Sequence, residues 1–301
     1  MNATNTFSRS AQSFSAHCGI LTSEILNGAD VSIGGGFTAE SFRAREIGET
    51  MDPLVMVDHY VMTEPTFGAH PHAGMSAVSL LFEDSEGLFH NRDSLGNDFD
   101  LRPGDLYWLN AGSGAVHDES PRANARIHGL QVFVNLPQTQ RFENPTSRLV
   151  RSGDMPIING TDYRVKVALG ESNSVQGATT PVTPMTILDG TIEPGGRFTH
   201  ETATSRGIWV QAIMGSIDVD VGKNARQLIL GQAIAMKANS NAKVLISNPS
   251  RESVQFVLFD GARIAETYVH EGTFVMDSQH QIDRIKAVYE AGELGAIANN
   301  R

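Results

Sequence analysis

Apolar residues in this chain gather in short runs bounded by turn residues, at 54–57, 77–82, 106–109, 130–134, 164–169, 208–214, 228–236, 244–247 and 254–259. Most are too short for helices and are rich in Val, Ile, Leu and Phe, the pattern of buried strands. The connections carry turn chemistry of their own, as in Pro103-Gly104-Asp105, Pro194-Gly195-Gly196 and Asn248-Pro249-Ser250. There proline presets one backbone angle and glycine accepts a left-handed one. Many short strands at this spacing predict an all-β sandwich or jelly roll. The exception lies near the C-terminal end. Asp277 or Ser278 is placed to cap a helix carrying Ile282, Ile285 and Tyr289 at spacings of three and four, and Gly292 or Gly295 to end it. A single apolar stripe on so short a helix predicts packing against the sheets.

The pattern also repeats. Laying 101–115 (LRPGDLYWLNAGSGA) on 228–242 (LILGQAIAMKANSNA) brings Leu, Gly, Ala, Ser and Ala into coincidence at one constant offset. Two β halves of similar architecture, joined across the polar, turn-rich stretch 137–163, fit the repeat and a length of 301 residues, about two domains by usual size. The expected division is 1–143 and 144–301.

Composition narrows the function. With 23 basic against 34 acidic side chains the net charge is −11, which argues against a generic electrostatic grip on nucleic acid or an anionic membrane. Basic residues form no cluster beyond pairs such as Arg43 and Arg45, so direct nucleic-acid binding is not expected. The single cysteine, Cys18, excludes an internal disulfide framework and a cysteine-rich zinc or iron–sulfur site. No run approaches the roughly 20 apolar residues that span a bilayer, and residues 1–10 lack a basic segment followed by an apolar one. The expected location is the cytoplasm. Phosphate-binding glycine loops and nucleophile elbows are missing, and Gly34-Gly35-Gly36 and Gly112-Ser113-Gly114 read as tight turns.

Two segments carry candidate chemistry. In Phe67-Gly68-Ala69-His70-Pro71-His72-Ala73-Gly74 the histidines stand at i and i+2. In extended backbone these leave the same face, and Pro71 disfavours helical geometry at His70. A lone pair of this kind also arises where polar loops collect histidines. A second i, i+2 pair follows, however, in His117 and Glu119. Together they would offer three imidazole nitrogens and a carboxylate oxygen, a set suited to iron, manganese, nickel, copper or zinc rather than magnesium or calcium. The repeat provides an internal control: its offset places Val244 opposite His117 and Ile246 opposite Glu119, so one metal per chain is expected. Asp118 should face away. His59, His90, His128, His200, His270 and His280 have no i+2 partner of ligand type and read as surface or hydrogen-bonded structural residues. His17 and Cys18 are adjacent and would face opposite sides of a strand. Phe67, Met75, Phe82 and Trp108 are candidates for cavity walls, with plain core the competing reading.

These residues resemble the pirins, two-domain members of the cupin superfamily. The matching stretches are 51–58 (MDPLVMVD), the His70-Pro71-His72 block, 101–105 (LRPGD) with Tyr107-Trp108, Ala111-Gly112-Ser113-Gly114 through His117 and Glu119, 128–136 (HGLQVFVNL), and 272–276 (GTFVM) before the terminal helix. The resemblance implies two tandem cupin jelly-roll barrels ending in a short helix. It places His70, His72, His117 and Glu119 on the family's metal-ligand positions, in the N-terminal barrel alone, with iron the usual ion. One departure bears on the charge of the pocket and hence on substrate choice: Ala73-Gly74-Met75-Ser76 stands where the family usually has Arg-Gly-Phe-Glu.

Two functions follow from the resemblance. In the first, the chain is a quercetin 2,3-dioxygenase-like oxidoreductase taking a small aromatic substrate and O₂, with Fe(II) the first choice of ion and Mn, Ni, Cu or Zn as alternatives. Glu119 would ligate the ion and also accept the substrate's hydroxyl proton. In the second, it is a non-enzymatic iron and redox sensor acting through protein partners, since Fe(II)/Fe(III) exchange changes the local charge by one unit.

Overall fold

The computed structural model describes residues 15–17, 19–180, 182–222 and 225–297; Cys18 and the segment 1–10 lie outside the described residues. Nearly every apolar run becomes a strand, and the strands pair antiparallel into two sets of sheets with one topology. In the first half a seven-stranded sheet runs Thr146–Val150, Leu106–Asn110, Met75–Leu81, Ile127–Asn135, Leu54–Met62, Phe37–Arg43, Ala29–Ile33. A four-stranded sheet faces it, in the order His70–His72, Ala115–Pro121, Phe89–Asp93, Asp98–Leu101. The second half repeats both. Its large sheet runs Ser15–His17, Ile20–Thr22, Ala233–Ala238, Arg206–Met214, Val254–Ala262, Met185–Ile192, Tyr163–Leu169, Ile157–Asn159, and its small one Arg197–Thr202, Ala242–Ser247, Ile217–Asp220, Ala225–Leu228. These are two tandem jelly-roll barrels.

The sequence repeat is therefore structural. Its offset carries the start of Leu106–Asn110 onto that of Ala233–Ala238, the start of Ala115–Pro121 onto that of Ala242–Ser247, and the whole of Ile127–Asn135 onto Val254–Ala262. Strand alternation divides the side chains between two environments. In the first barrel Val57, Val78, Leu80, Phe82, Trp108 and Leu130 point outward, into a core shared with Trp209, Ile213, Ala233, Val257 and Phe259 of the second. The rings of Phe42 and Trp209 meet edge-on there, 5.0 Å apart. The alternate residues point into each barrel, and one interior stays open.

Sheet membership crosses the 143/144 division in three places. Ile20–Thr22 pairs with Ala233–Ala238 of the second barrel, and Thr146–Val150 pairs with Leu106–Asn110 of the first. The hairpin formed by Val269–Glu271 and Phe274–Met276 returns to the first barrel, with a bridge from Phe274 to Ala73. The helix Gln279–Glu290 follows it. The Ser278 side chain accepts from Gln281 N–H at its start, and Ile282 and Ile285 are buried against Ala73, Phe274 and Met276. The chain leaves the helix at Ala291 and Gly292, the latter with φ 76°. No helix among the described residues is long and apolar enough to cross a membrane.

Arg141 ties this returning segment down. Fully buried, it donates to Leu136 O at 3.0 Å, to Asn135 Oδ1 at 3.1 Å and to the Asp277 carboxylate. Replacing it by leucine leaves two acceptors and a carboxylate without their donor. Arg141→Leu is expected to lose about 3 kcal/mol of stability in urea unfolding; a loss under about 0.5 kcal/mol, the scale of an ordinary surface change, would show that the clamp is dispensable.

Candidate metal centre

The short strand His70–His72 pairs antiparallel with Ala115–Pro121, setting Ala115 opposite His72, Val116 opposite Pro71 and His117 opposite His70. Alternation then turns His70, His72 and His117 to the barrel interior. Their Nε2 atoms converge, His72 to His117 at 2.8 Å and His117 to His70 at 3.0 Å. Among the described residues these three form the one group of His, Cys, Asp or Glu whose ligand atoms all lie within 4.8 Å of one another.

The protonation states suit a cation. Burial lowers the pKa of all three imidazoles, and His117 and His70 push that of His72 down further. The neutral, ligating form is thus favoured. His70 Nδ1 lies 2.8 Å from Gly68 O; since a carbonyl only accepts, Nδ1 carries the proton and Nε2 the lone pair. The Nδ1 atoms of His72 and His117 are buried without a partner. Neutral nitrogens crowded to about 3 Å at their tips fit a transition ion between them.

The C-terminal hairpin holds this strand from behind. Thr273 Oγ1 donates to Pro71 O at 2.5 Å, Ala73 N to Thr273 O at 3.4 Å and Val275 N to Ala73 O at 3.0 Å. The approach is close enough to require glycine at 74, where φ is 71° and a Cβ would lie 1.8 Å from Val275 O. The departing segment Ala73–Ser76 therefore meets the hairpin and the core rather than the cavity. Ala73, Met75 and Ser76 are fully buried and none of the four lines the opening.

Glu119 stands on the same strand and the same face as His117 but outside the histidine group. Its Oε1 accepts from Ser79 Oγ at 2.7 Å, and its Oε2 lies 4.0 Å from His117 Nδ1. Burial pushes its pKa up to about 7 against the lowering effect of the Ser79 hydrogen bond, with Asp118 and Asp93 adding to the rise. Asp118 faces the other way, as alternation requires, and pairs with Arg92 at 2.5 Å.

A cavity of about 410 Å³ opens beside the histidines. Phe37, Met56, Tyr60, Met62, Phe67 and Phe133 give it apolar walls, Arg43, Asp58 and Gln131 its polar side, and Gly272 and Thr273 part of its rim. Of the four wall candidates named from sequence, Phe67 is here. Phe82 and Trp108 point into the core between the barrels, and Met75 packs with Val55, Met56 and Val275. The polar side is a row across the large sheet: strand register aligns Ser41, Asp58, Gln131, Ser79 and Tyr107. Asp58 accepts from Ser41 at 2.5 Å and from Arg43 at 2.6 Å. Sequence reasoning missed Arg43, Asp58, Gln131 and Ser79. An aspartate set inside the otherwise largely apolar stretch 54–62 was the available signal. Gly272 and Thr273 had none, because only tertiary folding brings them to the rim.

Five of the remaining histidines are hydrogen-bonded elsewhere, and His280 lies exposed on the terminal helix. His90 meets Asp98 and His270 meets Gly272 O. His59 Nε2 lies 2.7 Å from His128 Nε2, and His128 Nδ1 is 2.8 Å from both oxygens of Asp84. His200 takes the place of His70 in the second barrel, paired with Val244 as His70 is with His117. It bridges Ser172 and Asp260, each at 2.9 Å.

Two jelly-roll barrels in tandem, with a histidine cluster at the mouth of the first and Val244, Ile246 and a hydrogen-bonded His200 at the matching place in the second, define a two-domain cupin. Residues 36–134 match the model of the Pirin family and residues 187–295 that of the Pirin C-terminal cupin domain. The chain is 30% identical to Pirin-1 of Arabidopsis thaliana, over 81% of its own length and 84% of that protein. Among solved structures it is similar to a quercetin 2,3-dioxygenase from Acinetobacter baumannii, with TM-score 0.79 and 23% identity over 90% of this chain and 96% of that one. It is also similar to a bacterial pirin from Escherichia coli in complex with nickel(II), with TM-score 0.55 and 16% identity over 83% and 94%. The chain belongs to the pirin family.

Burial, reinforced by His128 and opposed by Asp84, lowers His59 to about 4 from the usual 6.5. As pH falls below 6.5 the unfolded chain takes up a proton at His59 that the folded chain refuses. Stability should therefore decline between pH 6.5 and about 4 and level off below. Urea midpoints measured across that range should fall less steeply for His59→Leu than for the parent; equal slopes would show that His59 does not set the acid limb.

Proposed function

We propose that this chain is a metal-dependent dioxygenase of flavonol-like or related small aromatic substrates. One divalent transition ion, iron(II) first, would be held by His70, His72, His117 and Glu119. The observation that carries this reading is the convergence of three neutral imidazoles at one side of an apolar cavity of about 410 Å³, a volume within the range of small-molecule sites. The name of the quercetin 2,3-dioxygenase and the nickel(II) of the bacterial pirin, two proteins sharing the fold, support the same direction.

When bound, the ion supplies Lewis-acid polarisation of a substrate oxygen and an open coordination position. The protein's residues supply the rest. Phe37, Tyr60, Met62 and Phe133 bury the aromatic body and keep water away. Glu119, buried on the same face as His117 and lining the cavity, is placed to take the proton of a substrate hydroxyl. Arg43, neutralised on one side by Asp58, offers donors to a polar substituent at the far wall. Thr273 fixes the strand that carries two of the histidines.

Protein purified without added metal is expected to carry about one transition metal per chain by mass spectrometry, and His117→Ala almost none. With iron and air, flavonol absorbance should decay in the parent and at least about 100-fold more slowly in His117→Ala and Glu119→Ala. Fully iron-loaded protein that leaves several flavonols unchanged would overturn the dioxygenase reading. It would favour the redox-responsive alternative, in which ferrous and ferric protein capture different partners.

A further inference from the structure

We infer that Ser79 and Gln131 are positioning residues for Glu119: a hydrogen-bond relay runs from the Gln131 amide at the cavity wall through the buried Ser79 hydroxyl to one oxygen of the Glu119 carboxylate, leaving the other oxygen for the metal. The inference rests on the proposal above that Glu119 is the fourth ligand.

Proton counting gives the relay its direction. Ser79 Oγ lies 2.7 Å from Glu119 Oε1 and 3.0 Å from Gln131 Oε1, two acceptors, yet a hydroxyl owns one proton. At the same time Gln131 Nε2 is buried with no partner. The two ends of a side-chain amide have nearly the same shape, and the network decides between them. Exchanging them resolves both conflicts. The amide N–H donates to Ser79 Oγ, and the Ser79 O–H donates to the carboxylate, the better acceptor of the two. The nitrogen no longer lacks an acceptor, and an under-used carbonyl oxygen is the milder of the two deficits.

The placement of the relay is rigid. Gln131 and Ser79 are register partners on neighbouring central strands, and Ser79 is 1% exposed and Glu119 8%, so the link between Ser79 and Glu119 does not compete with bulk water. A glutamate side chain has several rotatable bonds, and ordering it at the moment of metal binding costs entropy. A carboxylate already fixed by one oxygen has met that cost in folding. Hydrogen bonds of this type, one shell behind the ligands, commonly change metal affinity by about 10–100-fold when removed.

Cobalt(II) is a suitable probe, because its visible spectrum reports its ligand set and a chelator competition gives its affinity. Ser79→Ala is expected to bind Co(II) about 10–100-fold more weakly and with an altered spectrum, while Ser79→Thr, which keeps the hydroxyl, restores both. Gln131→Leu, on a different strand, should weaken binding in the same direction. The double variant should be no weaker than Ser79→Ala, since a broken relay cannot be broken again. Urea midpoints of each variant separate loss of fold from loss of affinity. If Glu119→Gln binds Co(II) as the parent does, Glu119 is not a ligand and the proposed metal set fails. If Glu119→Gln is weakened while Ser79→Ala and Gln131→Leu match the parent, the metal set stands and the relay is overturned.

Discussion

The site depends on one strand register. His70 and His117 are neighbours because the register sets Val116 opposite Pro71; a slip of one position would turn His117 out of the barrel and Asp118 into it. Hydrophobic burial alone does not fix that choice, since the His70–His72 strand has three residues and little apolar surface to defend. Directional contacts do. On the far edge of Ala115–Pro121, Ser94 N donates to Val116 O at 2.8 Å and Val116 N donates to Ser94 Oγ at 3.0 Å. On the other side the C-terminal hairpin bonds to Pro71 and Ala73. The strand that carries His70 and His72 is a short segment clamped between two longer commitments of the chain.

The two barrels share a frame and differ in how they fill its mouth. In the first, three imidazole nitrogens converge in an arrangement that could hold a metal ion. In the second, His200 is met by Ser172 on one nitrogen and by Asp260 on the other, and Asp260 is met in turn by Arg206 at 2.5 Å. Burial pushes the Asp260 pKa up, but His200 and Arg206 outweigh it and hold the group below the usual carboxylate range. A buried polar chain satisfied from end to end needs no ion. The same topology thus supports one open mouth and one sealed by its own side chains.

Much of this was legible in the chain itself, for an identifiable reason. Properties that depend on period two, such as strand identity, the shared face of His70 and His72 and the outward turn of Asp118, are local and can be read from spacing. The repeat was legible because duplication preserved turn residues such as Gly104 and Gly231. What depended on which face meets which partner was not. Phe82 and Trp108 read in sequence as plain core or as cavity walls, and they sit in the core between the barrels; nothing local distinguishes a sheet's inner from its outer face when both are apolar. Glu119's hold on Ser79 and the rim at Gly272 and Thr273 join residues far apart in the chain, and no spacing rule reaches that far.

The exchange of chain ends between the barrels makes the order of synthesis part of how the centre matures. The strand bearing His70 and His72 is made early, but the hairpin that braces it lies beyond residue 268, and the Ile20–Thr22 strand must wait for its partner at Ala233–Ala238. A ribosome that has finished only the first barrel holds ligands without their brace. The closing stitch comes from a hairpin made about 200 residues after the histidines it braces, so a firmly held strand has to wait for synthesis to pass that hairpin.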